Sequence, residues 1–302
     1  MTNLATLTRV RIQLALRNKM FFFFSLFMPL GFFFLYSGVF AKGIPDAVRY
    51  FLGPILSLSV MGSFWGLSAT LVTFREQGIL RRFHVAPVTA SDMLASSVLA
   101  NFVLTLPTIV LILTLSRVIY HVHDFGNIAG AFVFVCVGTV AFGSLGLVVA
   151  SITNTMQETQ VLNQLLWLPL IFLSGATVPL PDLPKIVQGV SVFLPATFLV
   201  TGLQQVTYFS KPVVFDLIVY VLALAFWATL SFFVASQLFR WEPETKIPRN
   251  GKLWAAATII PFVLLGIWEH SHGKMLGEAQ TAYRAVSQRA NPPSQDAPKS
   301  QQ

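Results

Sequence analysis

The chain has 302 residues, 55% of them hydrophobic and only 11% charged, with a mean hydropathy of +0.69 and a net charge of +8. A soluble fold cannot hide that much apolar surface, which leaves a membrane protein. The basic residues sort by loop instead of forming one continuous patch, so nucleic-acid binding is not needed to explain the charge.

Crossing a hydrocarbon core of about 30 Å takes a helix of about 20 apolar residues. Seven such runs lie near 20–41, 50–73, 95–119, 128–152, 160–177, 213–238 and 253–268. Lipid leaves backbone groups without partners, and the alternating pattern of barrel strands is absent, so the expected fold class is all-α and polytopic. Arg9, Arg11, Arg17 and Lys19 precede the first run, Arg75, Arg81 and Arg82 follow the second, and Arg240, Lys246, Arg249 and Lys252 follow the sixth. The positive-inside rule makes that side cytoplasmic. Lys42–Arg49 and His121–Asp124 are then external.

In chain order, residues 1–19 place Leu7, Val10 and Leu14 at helical spacing with Arg11 close to the same face, which predicts a cytoplasmic interfacial helix with snorkelling arginines. Val39-Phe40-Ala41 could end a signal peptide, but the run before it is of spanning length, so a span is expected. That run carries Phe21 to Phe24, Phe27 and Phe32 to Phe34, read either as lipid-facing packing or as a wall for an apolar substrate. The second run contains Gly62 and Gly66 in a Gly-x-x-x-Gly pattern, suited to close helix packing within the chain or at a dimer seam.

Next comes a polar island, Phe74 to Pro87, between two apolar runs. At about 100° per residue Ile79, Leu80 and Phe83 share an arc while Arg75, Arg81 and Arg82 point elsewhere, which predicts a short amphipathic helix. Gly78 would permit close backbone approach and Pro87 would stop the helix. A helix resting on the membrane surface is the plainer reading. The pattern Arg-Glu-x-Gly-x-Leu-x-x-x-x-x-x-Pro from Arg75 through Glu76, Gly78 and Leu80 to Pro87 resembles the cytoplasmic coupling helix of type-2 ATP-binding-cassette (ABC) exporter permeases. The resemblance covers roughly residues 5–240. It implies six transmembrane helices, a coupling helix that docks a separate ATPase subunit, two permease copies around the pathway, and an extracellular re-entrant element.

The fourth run holds Cys136, Gly138, Gly143, Gly146 and Ala150, small residues suited to internal packing, and the single cysteine can form no intrachain disulfide. In the fifth run Gln157, Glu158, Gln160, Asn163 and Gln164 precede Trp167 and Pro169; polar groups at this depth either glue helices or face a cavity. The resemblance implies that the first, second and fifth spans line the route between protomers, which makes Asn163, Gln164 and Trp167 the substrate-path candidates. Residues 173–208 are too apolar for open solvent and too broken by proline to span, so a pair of short helices dipping into the outer leaflet is expected. Gly175, Pro179 and Pro195 match the family's re-entrant element. The seventh run departs from the family; if it spans, the C-terminus is outside. The stretch 291–302, rich in Pro, Ser, Gln and Lys, is expected to be disordered.

Two His-x-His pairs, His121 with His123 and His270 with His272, each stand beside an acid and are weak metal candidates, since an extended backbone would turn both imidazoles one way. No metal site is expected. No Gly-x-x-x-x-Gly-Lys-Ser/Thr loop occurs in the sequence, so ATP and Mg²⁺ are expected on a partner ATPase and no cofactor on this chain. Asp92, Arg117 and Glu158 fall at predicted span ends, where capping or snorkelling accounts for them, so an ion-coupled carrier lacks its relay.

The expected organisation is an interfacial helix at 1–19, the transmembrane domain at 20–240, a polar linker and extra apolar helix at 241–268, and a polar tail at 269–302. The expected function is the permease subunit of an ABC exporter in the inner membrane, not itself an enzyme, moving an amphipathic drug or lipid. Its expected partners are the ABC ATPase, a second copy and membrane lipids, with no nucleic acid. The rivals are a polysaccharide exporter, a membrane scaffold or sensor, and a lipid transferase.

Overall fold

The computed structural model describes residues 2–17, 19–84, 89–213, 216–241, 251–272, 275–277, 279–281 and 283–284. Among them every regular element is helical. α1 (Thr2–Arg17) leads into α2 (Lys19–Phe34), which continues as a π-helical turn, Leu35–Phe40. α3 (Pro45–Met61) and α4 (Ser63–Glu76) form one path broken at Gly62, followed by the short α5 (Ile79–His84). Then come α6 (Ala90–Tyr120), α7 (Ile128–Ile152) and α8 (Met156–Leu173). A 3-10 turn, Leu180–Asp182, precedes α9 (Lys185–Ser191) and α10 (Pro195–Thr207), and these are followed by α11 (Asp216–Leu238), α12 (Gly251–Ala257) and α13 (Ile260–His272).

Local chemistry explains where these helices begin. Thr89 and Asp92 form a capping box on α6, Asn127 Oδ1 accepts the Gly130 amide at 2.9 Å at the start of α7, and Thr155 Oγ1 accepts the Glu158 amide at 3.2 Å at the start of α8. Pro45 and Pro195 occupy first-turn positions, where the missing N–H costs nothing. Asp92 and Glu158 are thus caps, as expected of charges at span ends.

Among the described residues, five helices are long and apolar enough to cross a membrane: Pro45–Glu76, Ala90–Tyr120, Ile128–Ile152, Leu217–Leu238 and Leu253–Ser271. The first expected run appears as a shorter apolar helix, Leu26–Phe40, and the fifth as α8, whose first turns carry Gln157, Glu158 and Gln160 and dilute its hydropathy. α9 and α10 pass the same test only as a pair bent by 93°.

α7 is the central helix, packed against α4, α6, α10 and α11. Its small residues admit the neighbours: a Cβ on Gly138 would meet the Leu199 side chain at 2.7 Å, and one on Gly143 the Leu67 side chain at 3.0 Å. α10 is buried on almost every side and lies so close to α3 that a Cβ on Gly53 would sit 2.6 Å from the Gln204 backbone. The phenylalanine-rich segment divides by direction, with Phe33 fully buried and Phe27 and Phe34 exposed.

Polar contacts collect at two ends of the bundle. At one end Arg49 pairs with Asp124 at 2.7 Å and donates to Thr207 O, while Asn127 Nδ2 donates to Lys211 O. The Tyr50 ring there meets those of Tyr208 and Tyr283. At the other end lie Arg11, Arg75, Arg240 and the loop after α7. Trp241 stacks edgewise on Phe239 at the foot of α11, whereas Tyr283 lies at the Tyr50 end, so the 253–271 helix runs the length of the bundle. It packs inward through Phe262, whose ring meets those of Trp227 and Phe198. Helix and buried contacts continue beyond Trp268, through His272 to Met275 and Ala279. The stretch 291–302 lies outside the described residues.

Candidate functional site

The polar island is not one amphipathic helix. Arg75 and Glu76 end α4, Gln77-Gly78 forms a turn, and α5 begins at Ile79. Gly78 has φ +68°, and a Cβ placed on it would meet nothing within 4 Å, so glycine serves the left-handed turn and not a close approach. Leu80 is fully buried against the chain's own core and Ile79 is half-buried, while Gln77 and Arg81 are exposed. Leu80 therefore anchors α5 to its own subunit instead of offering an apolar contact to a partner. The side chains of Arg82 and Phe83, and the whole of Pro87, lie outside the described residues.

Arg75, read from sequence as pointing away from the arc of Ile79, Leu80 and Phe83, is buried. Its guanidinium donates to Ala150 O at 2.9 Å and to Thr153 O at 2.5 Å, the carbonyls at the end of α7. Arg240, just past α11, donates to Ser151 O at 3.2 Å, Thr153 O at 2.8 Å and Asn154 Oδ1 at 3.0 Å. The last carbonyls of a helix have no partner within it and carry its negative end, so two cations satisfy both needs. Burial pushes the Arg240 guanidinium down from its ordinary pKa, and the Glu158 carboxylate pushes it back up.

The other half of the junction is acidic. Glu76 Oε1 accepts the Met156 amide at 2.8 Å, and Glu158 Oε2 accepts the Asn154 amide at 2.7 Å. Thr153 Oγ1 and Thr159 Oγ1 lie 2.8 Å apart. Residues 153–155 thus tie the ends of α4, α7, α8 and α11 together, and α5 begins three residues after Glu76. Sequence reasoning missed Arg240 and this loop; the Thr155-x-x-Glu158 spacing of a capping box was the available signal.

The other candidates scatter. Asn163 is fully buried and exchanges hydrogen bonds with Ser68 Oγ at 2.8 and 3.1 Å, joining α8 to α4. Gln164 is exposed on the opposite flank with Val161 and Leu165, and Trp167 packs edgewise on Trp65 and beside Phe64. Gly175 takes φ +87° before the 3-10 turn, Pro179 precedes that turn, and Pro195 opens α10. Gly62 forms the break between α3 and α4, and Gly66 borders a cavity.

The histidine pairs lose their acids. Asp124 turns to Arg49 and accepts the Gly126 amide, and Glu269 is buried and accepts the Met275 amide. His270 and His272 belong to α13, so the extended backbone their pairing needs is absent. Among the described residues no group of three or more His, Cys, Asp or Glu could hold a metal.

The described residues form an all-helical bundle with helices of membrane-crossing length and a short helix that follows a charged junction. Residues 2–208 match the ABC-2 type transporter family, and the chain belongs to that family. It is 25% identical over 149 residues to the linearmycin resistance permease protein LnrN of Bacillus subtilis, covering 49% of this chain and 38% of that protein. Against the inner membrane transport permease YhhJ of Escherichia coli it is 27% identical over 142 residues, 46% of this chain and 38% of YhhJ. Nodulation protein J of Rhizobium leguminosarum is 32% identical over 101 residues, 33% of this chain and 38% of that protein. The chain therefore spans well under half the length of these relatives.

Proposed function

We propose that the chain is the membrane subunit of an ATP-driven exporter in the inner membrane, working as a pair of copies with two separate ATPase subunits that bind ATP and Mg²⁺. The ATPase docks on α5 and the exposed residues Gln77 and Arg81, and the arginine end of the bundle faces the cytoplasm. One observation carries the reading: α5 follows immediately on Glu76, whose carboxylate holds the first amide of α8, and on Arg75, which holds the last carbonyls of α7. A push on α5 then reaches α4, α7 and α8 through short hydrogen bonds, as rigid-body rotation between inward and outward access requires. The cargo is an amphipathic drug-like or lipid molecule, a reading supported by the resistance named for LnrN and by the many exposed apolar side chains on α8.

The test is purification of the tagged chain in mild detergent from its own cells, followed by reconstitution with the ATPase that co-purifies. A phosphate-loop ATPase should accompany it, and amphipathic compounds should stimulate hydrolysis. Purification without any ATPase, at full yield of dimer, would remove the proposal.

A further inference from the structure

We propose that a cavity of about 490 Å³ between α1, α4 and α6 binds one anionic membrane lipid from the cytoplasmic leaflet, with Arg11 as the headgroup contact. The volume lies within the range of ligand pockets. Leu7, Val10, Leu14, Ile79, Phe74 and Leu104 are among the apolar residues that line it. Val10 and Leu14, on the apolar face of α1, remain 39% and 47% exposed and border the cavity.

Among the described residues, Thr70 and Ser97 in the cavity wall donate to backbone carbonyls of their own helices, and Arg11 and Asn101 do not. Arg11, expected from sequence to snorkel, instead lies in the cavity wall, where among the described residues its guanidinium reaches the Met93 sulfur at 3.2 Å and the face of Phe74 at 5.7 Å. No carboxylate among the described residues pairs with it. Burial alone lowers its pKa to about 10, which still leaves it charged at neutral pH. Asn101 Nδ2, in the same wall, is buried without a hydrogen-bond partner among the described residues. The guanidinium keeps N–H donors beyond the one on the Met93 sulfur, so the proposed occupant brings oxygens and negative charge.

Their order along α6 gives the occupant a direction. Met93, beside Arg11, is in the first turn; Asn101 lies two turns deeper; Leu104 is deeper still, about 16 Å from Met93 at 1.5 Å per residue. A cation at the mouth and apolar walls beyond match a phosphate and an acyl chain in that sequence. Ile79 of α5 shares the lining, so an occupied cavity would stiffen the docking helix from behind. The site stands whether or not the chain exports anything, because lipid retention requires no ATPase.

The full-length protein, delipidated in detergent and titrated with phosphatidylglycerol or phosphatidylcholine, should retain one phosphatidylglycerol per chain by native mass spectrometry. Phosphatidylglycerol, and not phosphatidylcholine, should raise its melting temperature. Arg11→Gln should weaken retention by about tenfold, the loss of one charge-assisted contact. Ala15→Phe should displace the lipid with Arg11 intact, and Arg9→Gln, on an exposed residue, should change nothing. Equal retention of both lipids, unchanged retention in Arg11→Gln and Ala15→Phe, or crosslinking of position 14 to a second copy with no lipid retained would each overturn the proposal. If neither variant folds, the wild-type melting shift decides between the two lipids.

Discussion

Arg75 and Arg240 share one acceptor. Their guanidiniums, from the ends of α4 and α11, approach the carbonyl oxygen of Thr153 at 2.5 and 2.8 Å. Two like charges are held at one point because the end of α7 presents several carbonyls without helical partners and because Glu76 and Glu158 stand close by. Removing either arginine leaves buried carbonyls unsatisfied, a loss that outweighs the relief of repulsion between the two cations.

Arg240→Ala should destabilise the protein by about 2 to 3 kcal/mol, the range for buried hydrogen bonds to a charged group. Arg240→Lys should recover only part of it, since an ammonium cannot reproduce a planar fork over several carbonyls. Thermal melting in detergent measures both; an Arg240→Ala protein that melts with the wild type would show the junction to be idle.

Leu80→Asp and Arg81→Glu should separate folding from docking. Leu80 is fully buried in its own subunit, so a carboxylate there should cost roughly 3 kcal/mol or more and reduce the yield of folded protein. Arg81 is exposed, and its replacement should alter stability by less than about 0.5 kcal/mol while weakening ATPase binding. Binding assays beside melting curves read the two effects; the reverse pattern would place the contact face on Leu80.

Position 46 and position 284 should be labelled from the same side of the membrane. Tyr283 lies against Tyr50, which places the end of the described chain at the bundle end holding Arg49 and Asp124. In a Cys136→Ala background, a membrane-impermeant thiol reagent should reach Asp46→Cys and Arg284→Cys from outside and Arg81→Cys only from the cytoplasm. Labelling of 284 together with 81 would show that 253–271 does not cross.

Gly53→Val should abolish folding or lower the melting temperature severely, because its side chain would enter the Gln204 backbone of α10. Gly189→Ala makes the counterpart test. That glycine lies in helix α9 with nothing within 4 Å, so alanine should be neutral or stabilising by up to about 1 kcal/mol. A tolerant Gly53 would mean that α3 and α10 are not in close contact.

What the sequence determined by itself is whatever depends on neighbours along the chain. Twenty-residue apolar runs make helices in lipid, and the proline-bearing segment is too broken to form one straight span. The small residues of α7 were legible as packing sites for the same reason, since their spacing is local. Only the tertiary structure decided the fate of Arg75, Leu80 and Arg11. A helical wheel sorts residues by face, but the face that is buried depends on elements far away in the chain: Arg75 meets carbonyls 75 and 78 positions on, and Arg11 meets a sulfur 82 positions on. An arginine written in a polar island thus becomes a clasp inside the bundle, because a helix end with unsatisfied carbonyls happens to lie beside it.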